Sequence, residues 1–478
     1  MSGPRRPGAW HCAARRWHTP DILISVNVTV LGACKVPCMW PYFPDLLATP
    51  VPRYTSFPTA AEFDGTIGPA AMGEALASVS ADQPVSLYLH IPYCEELCWY
   101  CGCNTGAANR TQRVQAYLQR LIEEIGQVAV ALGGRGRVRR IAWGGGSPNA
   151  LDPGDFDTVM AHLARAFRLD DPVVSVEVDP RGFAKPWADA LRRNRVTRVS
   201  LGVQTFAPEI QAAIGRVQPH VMIEAAVALL RAAGVTSLNF DLMYGLPGQN
   251  VRTLAATLDA ATAMAPERLA VFGYAHVPHL IARQRRIDAS ALPDAVARFA
   301  QAEFAYQRLT RDGFVPVGFD HFAVPQDALA VAAASGTLRR NFQGFTEDQA
   351  DVLIGLGASA ISQFPAWLLQ NEKNAGRYHL RIANGQFAVE RGWARSAADQ
   401  AIGRAIEQLL CQGRATLARL PGRGVVAERL ARYVAAGLAR WEGEALVIDP
   451  HGLPYARAIA AALDPYRVAS ATRFSSAI

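Results

Sequence analysis

The chain is poor in cysteine, has no long apolar run and carries no block of like charges. Eight cysteines in 478 residues are too few to staple a chain of this size, so a disulfide scaffold is excluded. The longest apolar stretch, residues 22–34 (ILISVNVTVLGAC), falls short of the roughly 20 residues that a bilayer span requires. It has the look of a signal-peptide core, and LGAC ending at Cys34 has the look of a lipoprotein cleavage site. The plainer reading makes residues 1–50 an N-terminal extension, with Met39 as an alternative start of translation. The net charge is +7 and the isoelectric point about 9.1. Arg5, Arg6, Arg15, Arg16 and Lys35 against Asp21 supply +4 of that within the first 38 residues, leaving about +3 for the rest. No Lys/Arg stripe for nucleic acid remains, and a modest positive excess suits an anionic small substrate. There is no low-complexity linker and no internal repeat beyond the beat described next.

Half of the residues are hydrophobic and the mean hydropathy is near zero, as in a globular chain of two or three domains. From residue 80 to about 280, short β-rich runs alternate with Ala/Leu/Arg-rich helical stretches. The strand candidates start at Val85, Val138, Val173, Val196, Val235 and Leu269. Helical patterns run from Gln115 and from Val221, the latter with Gly234 placed to end it. Such alternation predicts a parallel sheet, and six units predict an α/β fold with a partial (β/α)6 barrel over residues 51–345. Residues 346–478 read as a smaller, mostly helical C-terminal domain. Chemistry in barrels sits at the C-terminal strand ends. There stand the cysteine loop, Gly144–Gly146, Glu177, Gln204, Asp241 and Tyr274.

Four of the eight cysteines fall within ten residues, in HIPYCEELCWYCGCN from His90. Cys94, Cys98 and Cys101 follow C-x3-C-x2-C, and three thiolates on one compact loop can hold three irons of a [4Fe–4S] cluster, leaving the fourth iron open. Zinc is the rival ligand, although no second Cys/His pair stands at the usual distance. Inert buried thiols are the third reading. A thiolate cluster of this kind points to a reducing cytoplasm and argues against export.

This motif after a first strand, with Tyr100 before the third cysteine, resembles the radical S-adenosylmethionine (SAM) superfamily. The longer string is similar to the oxygen-independent coproporphyrinogen III oxidases. So are PRYTSFP from Pro52, GGGSP from Gly144, VEVDP from Val176, SLGVQTF from Ser200, IGRVQ from Ile214, DLMYGLP from Asp241, YAHVP from Tyr274, GFDHF from Gly318, RNFQGF from Arg340 and GLGASAIS from Gly355. The resemblance covers roughly residues 50–365 well and the C-terminal part more loosely.

The resemblance implies that Cys94, Cys98 and Cys101 ligate the cluster and that SAM chelates the open iron. Tyr88, Glu177, Ala275 and Ile361, with Gly144, Gly145 and Gly146, would line that SAM. Gln204, Arg216 and Asp241 would hold a second SAM, with Tyr100, Gly102 and Cys103 nearby. Cys103 would be essential without being a ligand. The implied reaction is decarboxylation of coproporphyrinogen III to protoporphyrinogen IX, two propionates becoming vinyl groups through a 5′-deoxyadenosyl radical. A flavodoxin or ferredoxin would supply electrons to a cytoplasmic monomer, with no nucleic-acid or membrane partner. Read alone, Glu177 and Asp241 are also ordinary strand-end caps or ion-pair members. His90 and His276 have no second ligand at helical spacing, so positioning or hydrogen bonding is expected of them. Arg53, Arg283, Arg339 and Arg340 are candidates to grip propionates, against the plain reading of surface arginines.

The chain departs from the family pattern at Ser147 (usually Thr), Gly215 (usually Asn), Phe319 (usually Met) and over residues 455–466, where Arg457, Asp464 and Tyr466 still fit. Two alternatives stand beside the decarboxylase. One is a haem-binding or haem-delivery relative, which typically has Phe two residues after the third cysteine and lacks PRYTSFP. The other is a radical SAM methyltransferase that opens haem anaerobically. The presence of CGCN and PRYTSFP favours the decarboxylase.

Overall fold

The computed structural model describes residues 40–108 and 111–467; Met39 and most of the N-terminal extension lie outside the described residues. Six strands lie where the periodicity places them. They are β1 (Pro84–Ile91), β2 (Arg137–Gly145), β3 (Leu169–Val178), β4 (Arg198–Gln204), β5 (Ser237–Tyr244) and β6 (Arg268–Gly273). Each pairs in parallel with the next. Between them run α1 (Thr111–Leu132), α2 (Pro153–Ala166), α3 (Lys185–Arg193), α4 (His220–Ala232) and α5 (Val251–Ala263). Sequential order without a switch point makes a barrel-type arc rather than a doubly wound sheet.

The strands alternate with period two. In β5, Leu238, Phe240 and Leu242 are buried at 0% exposure under the helices. Asn239, Asp241 and Met243 point the other way, into the lumen, which is therefore polar. Helix ends follow their local chemistry. Asn250 caps α5 in a reciprocal capping box with Thr253, Asp152 caps α2, and Gly234 takes up φ +95° just past α4, a backbone region open to glycine.

The arc continues at both ends. After α6 (Ala295–Arg311), β7 (Val315–Val317) and β8 (His321–Ala323) extend it antiparallel from β6. On the other side β9 (Val352–Leu356) joins β1 in parallel, followed by antiparallel β10 (Ile361–Gln363), β11 (Trp367–Asn371) and β12 (Val389–Ala394). The result is a twelve-stranded sheet of order β12-β11-β10-β9-β1-β2-β3-β4-β5-β6-β8-β7. Its two edges do not pair with each other, so the barrel is partial. These last four strands lie beyond residue 345, in a stretch without the βα beat. From α7 (Ala397–Gln412) onward the chain is mostly helical, with one small three-stranded sheet.

A buried carboxylate joins α1 to β9–β11. Glu124 accepts from Gly357 N (2.6 Å), Asn371 Nδ2 (2.7 Å) and Tyr378 OH (2.8 Å). Residues 40–43 also pack into the fold. Trp40 N donates to Glu303 Oε1 (2.9 Å), and Phe43 N to the Tyr455 hydroxyl (2.8 Å). Among the described residues no helix is long and apolar enough to cross a membrane.

Candidate active site

The luminal side chains end in a cavity of about 470 Å³ at the C-terminal mouth of the strands. Its wall includes all four clustered cysteines, Tyr100, Gly102, Gly145, Gly146, Glu177, Gln204, Arg216, Asp241 and Ala275. Tyr88, Gly144 and Ile361 are not on that wall. Tyr88 is buried and packs edge-on to Phe342 (4.5 Å between centroids). Gly144 lies behind the Glu177 carboxylate, and Ile361 sits in β10.

The cysteine loop is tied down along its length. Gly106 N donates to Pro92 O (2.9 Å), Ala108 N to Cys94 O (2.8 Å), and Trp99 N to Ile214 O (3.1 Å). Gln284 Nε2 reaches both Tyr100 O (2.8 Å) and Ala275 O (3.0 Å), joining the loop to the segment after β6. Arg283 donates to Thr105 Oγ1 (3.1 Å) and Thr105 O (3.1 Å).

Each of the three motif sulfurs faces a donor. Cys94 Sγ accepts from Ser147 Oγ (3.7 Å), and Cys101 Sγ from Cys103 N (3.4 Å). Cys98 Sγ accepts from Arg181 Nη2 (3.2 Å) and Arg216 Nη1 (3.1 Å). Asp179 Oδ2 holds both guanidiniums, at 2.7 Å and 3.1 Å. Burial pushes the Asp179 carboxyl up, but Arg216 and Arg181 outweigh it and hold the group below its ordinary range. A hydrogen bond from the Cys103 thiol leads the influences that lower Cys101 to about 6. Burial outweighs the Ser147 donor at Cys94 and pushes that thiol up to about 11; the thiolate is the form that binds iron. The thiols therefore fit a [4Fe–4S] cluster by their donor set. Among the described residues no three Cys, His, Asp or Glu side chains close on a single ion.

The glycine triplet has a geometric cause. A Cβ on Gly144 would meet the Glu177 carboxylate at 2.6 Å, one on Gly145 the His90 ring at 2.3 Å, and one on Gly146 the Tyr93 carbonyl at 2.3 Å. Gly145 also takes φ +102°. Glycine thus lets a carboxylate, an imidazole and a strand end press against the β2 backbone. Glu177 accepts from Gly145 N (3.1 Å), and burial, then the Asp241 charge, raises it to about 7. Asp241 is raised by burial, against hydrogen bonds from Ser200 Oγ (2.7 Å) and Asn239 Nδ2 (2.8 Å). Two buried carboxyl groups, both shifted upward by burial, face one lumen, where an ammonium or hydroxyl donor would stabilise their charged form.

Burial lowers His90 to about 4; its nitrogens meet Tyr88 OH and Ser359 Oγ, each at 3.3 Å. His276 Nδ1 meets Tyr274 OH at 2.9 Å. Both histidines are engaged with neighbouring hydroxyls. Gln204 holds φ +65° at the end of β4, unusual for a residue with a Cβ. The Arg216 guanidinium is fully engaged, with Nε on Gln218 Oε1 (3.0 Å) and Nη2 on Gly202 O (2.6 Å) in addition to Cys98 and Asp179.

The four arginine candidates separate. Arg53 lines the cavity, and Arg340 donates to Arg53 O (3.1 Å). Arg339 pairs with Glu407 (2.9 Å) and Asp351 (3.2 Å), elsewhere, and Arg283 braces the cysteine loop. Sequence reasoning missed Asp179, Arg181 and Gln284. The Asp-Pro-Arg run directly after β3 was the available signal for the first two.

Residues 88–261 match the radical SAM superfamily. The chain is 40% identical over 425 residues to an oxygen-independent coproporphyrinogen III oxidase of Bradyrhizobium diazoefficiens, covering 87% of this chain and 94% of that protein. It is 39% identical over 440 residues to one from Cereibacter sphaeroides, covering 89% and 96%. Among solved structures, it is similar to the Escherichia coli coproporphyrinogen III oxidase HemN, described as a radical SAM enzyme. That match has a TM-score of 0.83 and 34% identity, over 90% of this chain and all of the other.

Proposed function

The chain belongs to the oxygen-independent coproporphyrinogen III oxidases of the radical SAM superfamily, and from this we infer that it converts coproporphyrinogen III to protoporphyrinogen IX without oxygen. It is an oxidoreductase of tetrapyrrole biosynthesis. The observation that carries the reading is the cysteine loop, ringed by donors, at the mouth of a barrel in a chain that aligns with these oxidases over 87–90% of its length. The haem-delivery and methyltransferase alternatives have no comparable support.

When bound, the cluster and SAM supply a 5′-deoxyadenosyl radical able to take a hydrogen atom from a propionate β-carbon, after which CO2 and an electron leave and a vinyl group remains. Cys94, Cys98 and Cys101 hold the cluster. Ser147 donates to Cys94 Sγ, and Arg181 and Arg216 donate to Cys98 Sγ. Gly145 and Gly146 bring backbone to the cavity, and Glu177 and Ala275 flank the SAM there, with Tyr88, Gly144 and Ile361 supporting from behind. Gln204 and Asp241, beside Arg216, hold a second SAM, with Tyr100, Gly102 and Cys103 next to it. Cys103 would be essential without ligating the cluster. We place the enzyme in a reducing cytoplasm as a monomer served by a flavodoxin or ferredoxin. The catalytic part includes strands β9 to β12 beyond residue 345, and the mostly helical stretch from α7 onward serves as its cover.

The test is anaerobic incubation of reconstituted protein with reductant, SAM and coproporphyrinogen III. Protoporphyrinogen IX with release of CO2 is expected. SAM cleavage without decarboxylation overturns the reading.

A further inference from the structure

Beside the main cavity, and sharing Arg53, Phe272, Gly273 and Ala275 with it, lies a smaller void of about 60 Å³. Its wall carries three guanidinium groups, Arg53, Arg298 and Arg457, against one acid, Asp320. A fourth cation stands close by. The Cζ atoms of Arg340 and Arg457 lie 5.1 Å and 5.6 Å from the Phe319 ring centroid. Asp320 is itself committed to His321 Nδ1 at 2.6 Å. The arginines come from four separate parts of the chain: the segment before β1, α6, the 339–341 strand and the C-terminal stretch.

Cations withdrawn from water need an anion near them, and Asp320 is the one carboxylate on the wall of this void. Burial, then the neighbouring Arg53 charge, pulls Arg457 down to about 10. Burial pulls Arg298 and Arg340 down as well. Arg298 Nε and Arg340 Nη1 are buried without a hydrogen-bond partner. A cavity of about 10–15 Å³ already holds one water, so the void has room for a carboxylate group but not for a macrocycle. The macrocycle belongs to the larger cavity alongside.

We propose that Arg53, Arg298 and Arg457, backed by Arg340, form a carboxylate subsite that takes one propionate arm of the tetrapyrrole while its ring lies in the main cavity. This rests on the reading that the substrate is coproporphyrinogen III. Guanidinium forks match carboxylates in bidentate fashion, and the shared wall lets one molecule reach both spaces. The subsite also gives the C-terminal stretch a recognition task, through Arg457.

Binding of coproporphyrin III, the stable oxidised form, and of its tetramethyl ester is measured by fluorescence on anaerobic holoenzyme. The proteins are wild type, Arg457→Gln, Arg457→Lys and Arg53→Gln, all matched for iron content. The subsite predicts that either Gln variant weakens the tetra-acid tenfold or more, that Arg457→Lys retains part of the affinity, and that ester binding is unchanged. Unaltered tetra-acid binding in both Gln variants overturns the proposal, as does equal loss of acid and ester. If wild type discriminates acid from ester through these arginines yet never decarboxylates, the subsite stands and the reaction reading falls. If wild type decarboxylates and the Gln variants match it in KM, the reaction reading stands and the subsite falls.

Discussion

Arg216 Nη1 lies 3.1 Å from the sulfur of Cys98, and the same nitrogen lies 3.1 Å from Asp179 Oδ2. Arg181 makes the matching pair from the other side. One cluster ligand therefore takes two charge-assisted hydrogen bonds from arginines locked by a single carboxylate.

Hydrogen bonds to a ligating sulfur favour the reduced, more negative cluster. Arg181→Gln is expected to keep the iron but shift the cluster midpoint downward, on the order of tens of mV, in a redox titration followed by EPR. Arg181 is not on the cavity wall, so SAM affinity should hold. Arg216→Gln should lower both the potential and the number of SAM molecules bound at equilibrium. An unchanged midpoint in both variants removes the assigned role.

The thiols should divide sharply. Cys98→Ser is expected to lose cluster iron and activity together. Cys103→Ser should retain the iron, the visible absorption and reductive SAM cleavage, while decarboxylation drops by at least about 100-fold, the lower range for a lost acid–base or nucleophilic group. Iron loss in Cys103→Ser would make it a ligand after all.

Gly144→Ala drives a methyl group into the Glu177 carboxylate, and the expected cost is that of overpacking, about 1–3 kcal/mol. Glu177→Ala in the same chain should recover most of it, read as denaturation midpoints of single and double variants. For Gly145→Ala, shortening His90 would relieve the collision but not the backbone strain at φ +102°. This variant adds left-handed strain to the collision with His90 and should be the worse of the two.

Burial raises Glu124 to about 7 from its ordinary 4.5. Between those values the folded protein keeps a proton that the unfolded chain releases. Its contribution to stability is full below about pH 4.5 and is lost as pH rises through 7. At about 1.4 kcal/mol per unit the loss is on the order of 3 kcal/mol. Glu124→Gln should flatten that slope in holoenzyme unfolding between pH 5 and 8; an identical slope in the variant counts against the assignment.

What could be read directly from the residues was what repeats or clusters. The six strands announce themselves by β-branched runs ended by glycine or polar residues, and three thiols in eight positions need no long-range information. The brace behind them was hidden because its partners are far apart. Arg181 meets Cys98 across 83 residues and Arg216 meets it across 118. The glycine triplet could be noticed, but the occupants of its space, His90 and Glu177, come from β1 and β3. Strands β9 to β12 were obscured because, at three to six residues each, they have no helices between most of them to set a rhythm.

A ring of strands joined edge to edge has a bore set by its own hydrogen-bond ladder. This sheet ends at Val389–Ala394, where Asp64 adds a single antiparallel bridge to Gly392, and at Val315–Val317, so no ladder closes the ring. The aperture is governed by what leans on the far margin, where Arg457 reaches the Phe319 ring beside β7. Substitutions in residues 455–466 are thus expected to change which macrocycles enter while every strand and every cluster cysteine stays as it is.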